Sequence, residues 1–154
     1  MKRIYEYSVK RTYVGACEAS EHYSLDNPKS VTNMLKLVDI HSDDQENFMV
    51  LLLDTKNRPK GLSRICRGLL DRCHAHPREV FKPAIIAGCS KIILVHNHPS
   101  GNCVPSPQDI NLTENMIKCG DILGIKVVDH IIVGEMYGEF NSRSMRSYND
   151  VEFK

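Results

Sequence analysis

An excess of charge of either sign is missing from this chain: its 154 residues carry 20 lysines and arginines against 19 aspartates and glutamates. With no broad positive field to hold a polyanion, the composition does not favour non-specific nucleic-acid binding. Long apolar runs are missing too. No stretch approaches the roughly 18 residues of a membrane span, and the opening MKRIYEYSVKR puts charge where a secretory leader needs an apolar core. A cytoplasmic protein that makes no use of a membrane is the expectation. Cys-x-x-Cys is absent, and the six cysteines, at 17, 66, 73, 89, 103 and 119, follow no regular spacing. They predict reduced thiols packed as small hydrophobes. There is no low-complexity segment, and nothing in the sequence speaks to oligomeric state.

The length suits one domain with a real core. RIYEYSVKRTYV alternates loosely, as a half-buried or edge strand does. In NPKSVTNMLKLVDI the apolar residues Val31, Met34, Leu35 and Val38 recur at helical spacing behind Asn27 as cap and Pro28 at the first position, predicting a helix over 28–40. ENFMVLLLD reads as a central strand, TKNRPKG as a turn and LSRICRG as the return arm of a hairpin. A second helix begins at Pro77, with Val80, Phe81, Ala84, Ile85 and Ala87 on one face and Gly88 at its end; Pro83 threatens its middle. SKIILVHN is a buried strand, SPQDINLTENMIKCGDIL a helix ending near Gly124, IKVVDHIIVG a further strand and EMYGEF its possible return. The alternation predicts a layered α/β domain on one central sheet. Residues 1–27 form an N-terminal strand and loop, 28–140 the domain, and 141–154 a polar tail.

The chemistry concentrates at HNHPSG. Side chains two apart on a strand share a face, so His96 and His98 project together, with Cα atoms roughly 6 to 7 Å apart, a span that suits two imidazoles on one ion. Pro99 stops the strand there, where a pocket can open. Alone, such a pair is more often solvated. Downstream, PSPQD places Ser106 before a helix, Pro107 at its first position and Asp109 at its third, so Asp109 can turn back toward the strand end. Two imidazoles, one carboxylate and a fourth position for water match a catalytic zinc site. The same Ser-x-x-Asp is also an ordinary capping box, and both readings stand. The near copy HAHPRE offers a control: Asp109 lies eleven residues after His98, and eleven after His76 comes Ala87. His74 and His76 therefore read as helix-start residues, as do Arg78 and Glu79. His-Glu-x-x-His, and the deaminase pairing of His-x-Glu with Pro-Cys-x-x-Cys, are both absent.

His96-Asn97-His98-Pro99, six residues, Ser106, two residues, Asp109 is the H-x-H-P-x6-S-x2-D signature of the JAMM (MPN+) metallopeptidases, and VLLLDTKNR, HPREVFKPAI, ILVHNHPSG, PSPQDINLT and LGIKVVDHIIVG resemble its RadC-like branch across residues 45–134. The resemblance implies a single JAB/MPN-type α/β domain, a central mixed sheet flanked by helices in the layering of cytidine deaminases. It implies one zinc ion on His96, His98 and Asp109, with a water as the fourth partner. It further implies a general-base glutamate at the start of the strand after the first helix, which falls on Glu46, and a hydrogen bond from Ser106 to the developing oxyanion. Taken alone, a glutamate opening a buried strand is more often solvated. The implied activity is hydrolysis of peptide or isopeptide bonds in a protein or peptide substrate.

Asp129 and His130 follow the same family pattern, either orienting a ligand imidazole or simply packed in the core. Cys103, in the ligand loop, reads as a bystander that could compete for soft metals or be oxidised. Two departures matter. Longer RadC-like proteins carry an N-terminal region resembling helix-hairpin-helix DNA binders, and this chain begins too late to include one, so a short form is expected. GNCVPS stands where GDPTPS is common, which keeps the ligand spacing but alters the lip. Two rival functions remain: a catalytically quiet metal-binding interaction module, and an accessory DNA-processing or repair-associated protein of a mobile element. A nuclease is disfavoured by a site with one carboxylate ligand, because two-metal phosphoryl sites need a more acidic set.

Overall fold

A computed structural model describes residues 10, 12, 24–38, 40, 44–68, 75–134 and 140–142. The first helix, α1 (Pro28–Leu35), opens as its sequence predicts: Asn27 Oδ1 accepts from the Ser30 N–H at 2.9 Å, and Pro28 occupies the first turn. It ends five residues short of the predicted limit. Beyond Leu35 the backbone unwinds so that Val38 and Ile40 both reach the core, and the Val38 carbonyl accepts from Arg64 at 2.8 Å. Tertiary contacts override the local periodicity there.

The apolar run becomes β1 (Asn47–Leu53), buried at every position, and its hairpin partner is β2 (Pro59–Arg67). Next comes α2 (Pro77–Ile86), which runs unbroken through Pro83 and closes just before Gly88, where Lys60 donates to the Ala87 and Gly88 carbonyls. Its buried face is narrower than expected: Val80, Phe81 and Ala84 are inside, whereas Ile85 is 56% exposed. β3 (Lys91–Asn97), α3 (Pro107–Leu123), β4 (Lys126–Val133) and β5 (Phe140–Ser142) complete the described elements. Gly124 ends α3 with φ 67°, the left-handed turn that glycine adopts without strain.

The strands form one mixed sheet in the order β2-β1-β3-β4-β5, parallel between β3 and β4 and antiparallel elsewhere. Strand alternation divides its core in two. Met49, Leu51, Leu53, Ile93 and Val95 pack toward α1, while Phe48, Val50, Leu52, Ile92 and Leu94 pack toward α2 and α3. In β4 the alternation is broken by a bulge: Ile92 pairs with Val127 but Ile93 pairs with Asp129, leaving Val128 extra. Downstream of it, His130 lies beside Leu94 on the α2/α3 side, where strict alternation from Val127 would have turned it away. The sheet is therefore the layered α/β arrangement predicted.

One expectation fails in part: Cys66 is disulfide-bonded, whereas Cys89, Cys103 and Cys119 are not. Irregular spacing along a chain carries no information on which thiols the fold brings together. Apart from Lys10 and Thr12, the predicted N-terminal strand lies outside the described residues, as do His74, residues 135–139 of the predicted EMYGEF return and the tail beyond residue 142. Among the described residues, no helix is long and apolar enough to cross a membrane.

Candidate metal centre

Three chain segments meet at the end of the sheet where β3 stops. The rung Phe48–His96 ends the β1–β3 ladder, so position 46 falls across from position 98, on the face that holds His96. From the same side comes the first turn of α3, carrying Asp109. The result is a cluster of Glu46, His96, His98 and Asp109 whose ligand atoms all lie within 4.8 Å of one another. His96 Nε2 lies 2.9 Å from His98 Nε2 and 3.2 Å from Asp109 Oδ1, and His98 Nε2 lies 3.5 Å from Asp109 Oδ2. Glu46 Oε1 stands further back, 3.9 Å from each imidazole Nε2. His96 and Asp109 are buried, while the side chains of His98 and Glu46 are 16% and 17% exposed and form the open side.

The chemistry of this donor set fits a cation. His98 Nδ1 lies 2.6 Å from the Asn102 carbonyl, which can only accept, so Nδ1 carries the proton and the neutral ring's Nε2 is a lone pair aimed into the cluster. Two imidazole nitrogens at 2.9 Å beside a carboxylate repel unless a proton or a metal ion lies among them. Without an ion the strain shows in protonation. The Asp109 hydrogen bond favours the charged form of His98 and raises its pKa despite partial burial. Burial dominates at His96 and lowers its pKa. Burial works against ionisation of Asp109, but the close approach of His96 and His98 and the hydrogen bonds from Ser106 hold its carboxyl far below the usual carboxylate range. Nitrogen and carboxylate ligands of this kind suit zinc among other divalent ions.

Ser106 and Asp109 form the capping box that the spacing allowed. The Ser106 N–H and hydroxyl both donate to Asp109 Oδ2 at 2.7 Å, and Ser106 Oγ accepts from the Asp109 N–H at 3.2 Å. Capping and site-building thus coincide: the box occupies Oδ2 and leaves Oδ1 toward His96. The positive end of α3 favours the carboxylate as well. His98 is fixed from both sides, its N–H donating to the Val133 carbonyl at 3.0 Å. Gly134 follows directly, and a Cβ there would collide with Cys103 Sγ and the Gly101 carbonyl, so the ligand loop rests on a residue with no side chain. Cys103 packs in that lip.

Sequence reasoning missed Asn97. Where the β1–β3 ladder ends, the buried Asn97 side chain supplies the next rung: Oδ1 accepts from the Asn47 N–H at 2.7 Å and Nδ2 donates to the Gln45 carbonyl at 3.1 Å. On the other side the Glu46 carbonyl accepts from the Gly68 N–H at 2.8 Å. Glu46 is held by its backbone and its immediate neighbours. A buried amide between two histidines was the available signal. His130 is placed against the site, its Nε2 2.8 Å from His96 Nδ1, while Asp129 accepts from the His130 main-chain N–H. Of the control pair, His76 behaves as a helix start, its Nδ1 capping α2 by accepting from the Arg78 N–H.

The profile of the RadC-like JAB domain matches residues 25–147 of the chain. A UPF0758 protein of Finegoldia magna is 50% identical over 116 residues, which is 75% of this chain and 52% of that protein. A UPF0758 protein of Caldanaerobacter subterraneus is 42% identical over 132 residues, 86% of this chain and 55% of the relative. A third, from Desulforudis audaxviator, is 51% identical over 92 residues, 60% of this chain and 40% of its own. The chain therefore spans about half the length of these relatives. With the match running through every segment of the cluster, the chain belongs to the RadC-like JAB domain family.

Proposed function

We propose that the protein is a zinc-dependent hydrolase of amide bonds, peptide or isopeptide, in a protein or peptide substrate. The observation that carries this reading is the set-back position of Glu46: it shares the cluster with His96, His98 and Asp109 yet stands further from the imidazoles than Asp109 does. That is the place for a proton carrier rather than a ligand. Zinc held by His96, His98 and Asp109 would supply Lewis acidity, bringing a water's pKa toward about 7 and polarising a carbonyl. Glu46 Oε1 takes the proton of the attacking water and passes it to the leaving nitrogen as the C–N bond breaks, giving a carboxylic acid and an amine. Ser106 serves the carbonyl oxygen if its hydroxyl exchanges Asp109 Oδ2 for the substrate as charge develops.

Metal content and turnover test this reading separately. Wild type is expected to retain zinc, and His96→Ala to lose it. Glu46→Gln should keep the metal while turnover falls by about 10²- to 10⁴-fold. Substrates can be sought as new protein amino termini that appear on expression of wild type and not of Glu46→Gln. A wild type that holds no zinc would sink the proposal, and an active Glu46→Gln variant would remove Glu46 from it.

A further inference from the structure

Behind His96 runs a chain of hydrogen bonds that returns to a second ligand. His96 Nδ1 meets His130 Nε2 at 2.8 Å, and His130 Nδ1 meets Thr113 Oγ1 at 2.6 Å. Thr113 Oγ1 in turn lies 2.6 Å from the main-chain carbonyl of Asp109, one helical turn earlier in α3. All four residues are buried. The protons in this chain can be assigned from one end. A carbonyl oxygen only accepts, so the Thr113 hydroxyl proton points to Asp109 and Oγ1 is left as acceptor toward His130. His130 Nδ1 then carries hydrogen, and in the neutral ring Nε2 is a lone pair. His96 Nδ1 must donate to it. The remaining nitrogen, His96 Nε2, is thereby stripped of hydrogen and faces Asp109 and His98.

We propose that His130 and Thr113 are positioning residues that set His96 in its ligand tautomer before any ion arrives, and that they tie this choice to the backbone of Asp109. The proposal rests on His96 and Asp109 being metal ligands, but its first observable does not. The bulge at Val128 is part of the device, because it turns His130 to the site side of the sheet. So is the spacing of Thr113, four residues after Asp109 on the same helix face. Phe48 closes the arrangement, stacked on the His96 ring at 6.2 Å between centroids and meeting His130 edge-on at 5.8 Å.

The test uses the full chain, metal-free, labelled with ¹⁵N-histidine, with tautomers read from long-range ¹H–¹⁵N correlations. His96 is expected with hydrogen on Nδ1 and none on Nε2. Thr113→Val, which keeps the shape and removes the hydroxyl, should give a mixture of His96 tautomers. It should also weaken zinc, measured by competition with a chromophoric chelator, by about tenfold or more. Thr113→Ser should restore both. Hydrogen on His96 Nε2 in the wild type overturns the proposal even if the variants fail to fold. So does a Thr113→Val protein whose tautomer and zinc affinity match wild type, since a merely structural threonine would change stability alone. If wild type binds no zinc, the ligand reading fails, and the tautomer spectrum still decides the relay.

Discussion

Asn97 and the two histidines that flank it divide their work by the alternation of a strand. His96 and His98 face the cluster, while Asn97 turns to the other side and bridges to the backbone around Glu46. Replacing it with alanine removes the partner of the buried Asn47 N–H, whereas the Gln45 carbonyl keeps a second donor in Asn47 Nδ2. One orphaned buried donor costs about 1 to 3 kcal/mol. Asn97→Ala should therefore lower the midpoint of urea unfolding while zinc content stays at the wild-type level, because no ligand is touched. Unchanged stability would show that the Asn97 rung contributes nothing. At this scale, legibility followed locality. His96, His98 and Asp109 were readable because strand alternation and helix-start geometry act over a few residues. Glu46 came only through family resemblance, since fifty positions separate it from the imidazoles it faces. Asn97 and Thr113 went unread as actors because Asn47, Gln45 and His130, which they bond, lie on other strands or their approaches.

Elements set the aim of these side chains, and their ends matter more than their middles. The loop from His98 to Ser106 is pinned by the Val133 carbonyl, by its own turn and by contact with Gly134 at the end of β4. Gly134→Ala forces a methyl group into Cys103 and the Gly101 carbonyl, and the loop has to give way. Overpacking of this kind costs about 1 to 3 kcal/mol, and here it also moves the Asn102 carbonyl that orients His98. The expected outcome is a lower Tm together with weaker zinc binding; a variant that melts lower yet binds zinc as wild type does would separate the loop from the centre. Element identity was legible for the described helices and for β1 to β4, which lie where periodicity put them, whereas β5 begins on the last residue of EMYGEF and runs into what reads as tail. The errors lie at ends and faces. α1 stops early because Val38 and Ile40 are claimed by the core, and Ile85 is outside because α2 buries a narrow stripe. The β4 bulge leaves no mark in a run of β-branched residues, since either parity buries valine or isoleucine.

For the molecule as a whole, the cluster exists only when β1, β3 and α3 are assembled, so binding of the proposed zinc would also be folding energy. A ligand at a hundred times its Kd stabilises the folded state by about 2.7 kcal/mol, which for a domain of this size raises Tm by roughly 5 to 10 °C. The effect depends on pH with a definite sign. His98 has a folded-state pKa above its ordinary 6.5 in the metal-free protein, held there first by Asp109. Its contribution to metal-free stability is complete below the ordinary value and is lost as pH rises through the raised one. Zinc bound as proposed would displace that proton, and its binding would strengthen over the same interval. Melting curves at about pH 6 and about pH 8, with zinc and with chelator, should show a gap that widens with pH; a gap that narrows would contradict the assignment of His98 as a ligand. The bulge in β4 bears on how this architecture tolerates changes in chain length. Val128 is a surplus residue between the end of α3 and His130, so a chain one residue shorter there could pair as an ordinary strand and still bring His130 beneath His96. A residue lost between Ile93 and His96 has no such slack, because it reverses the face of both histidines of the cluster at once. Length is thus negotiable on the strand that supports the centre and fixed on the strand that forms it.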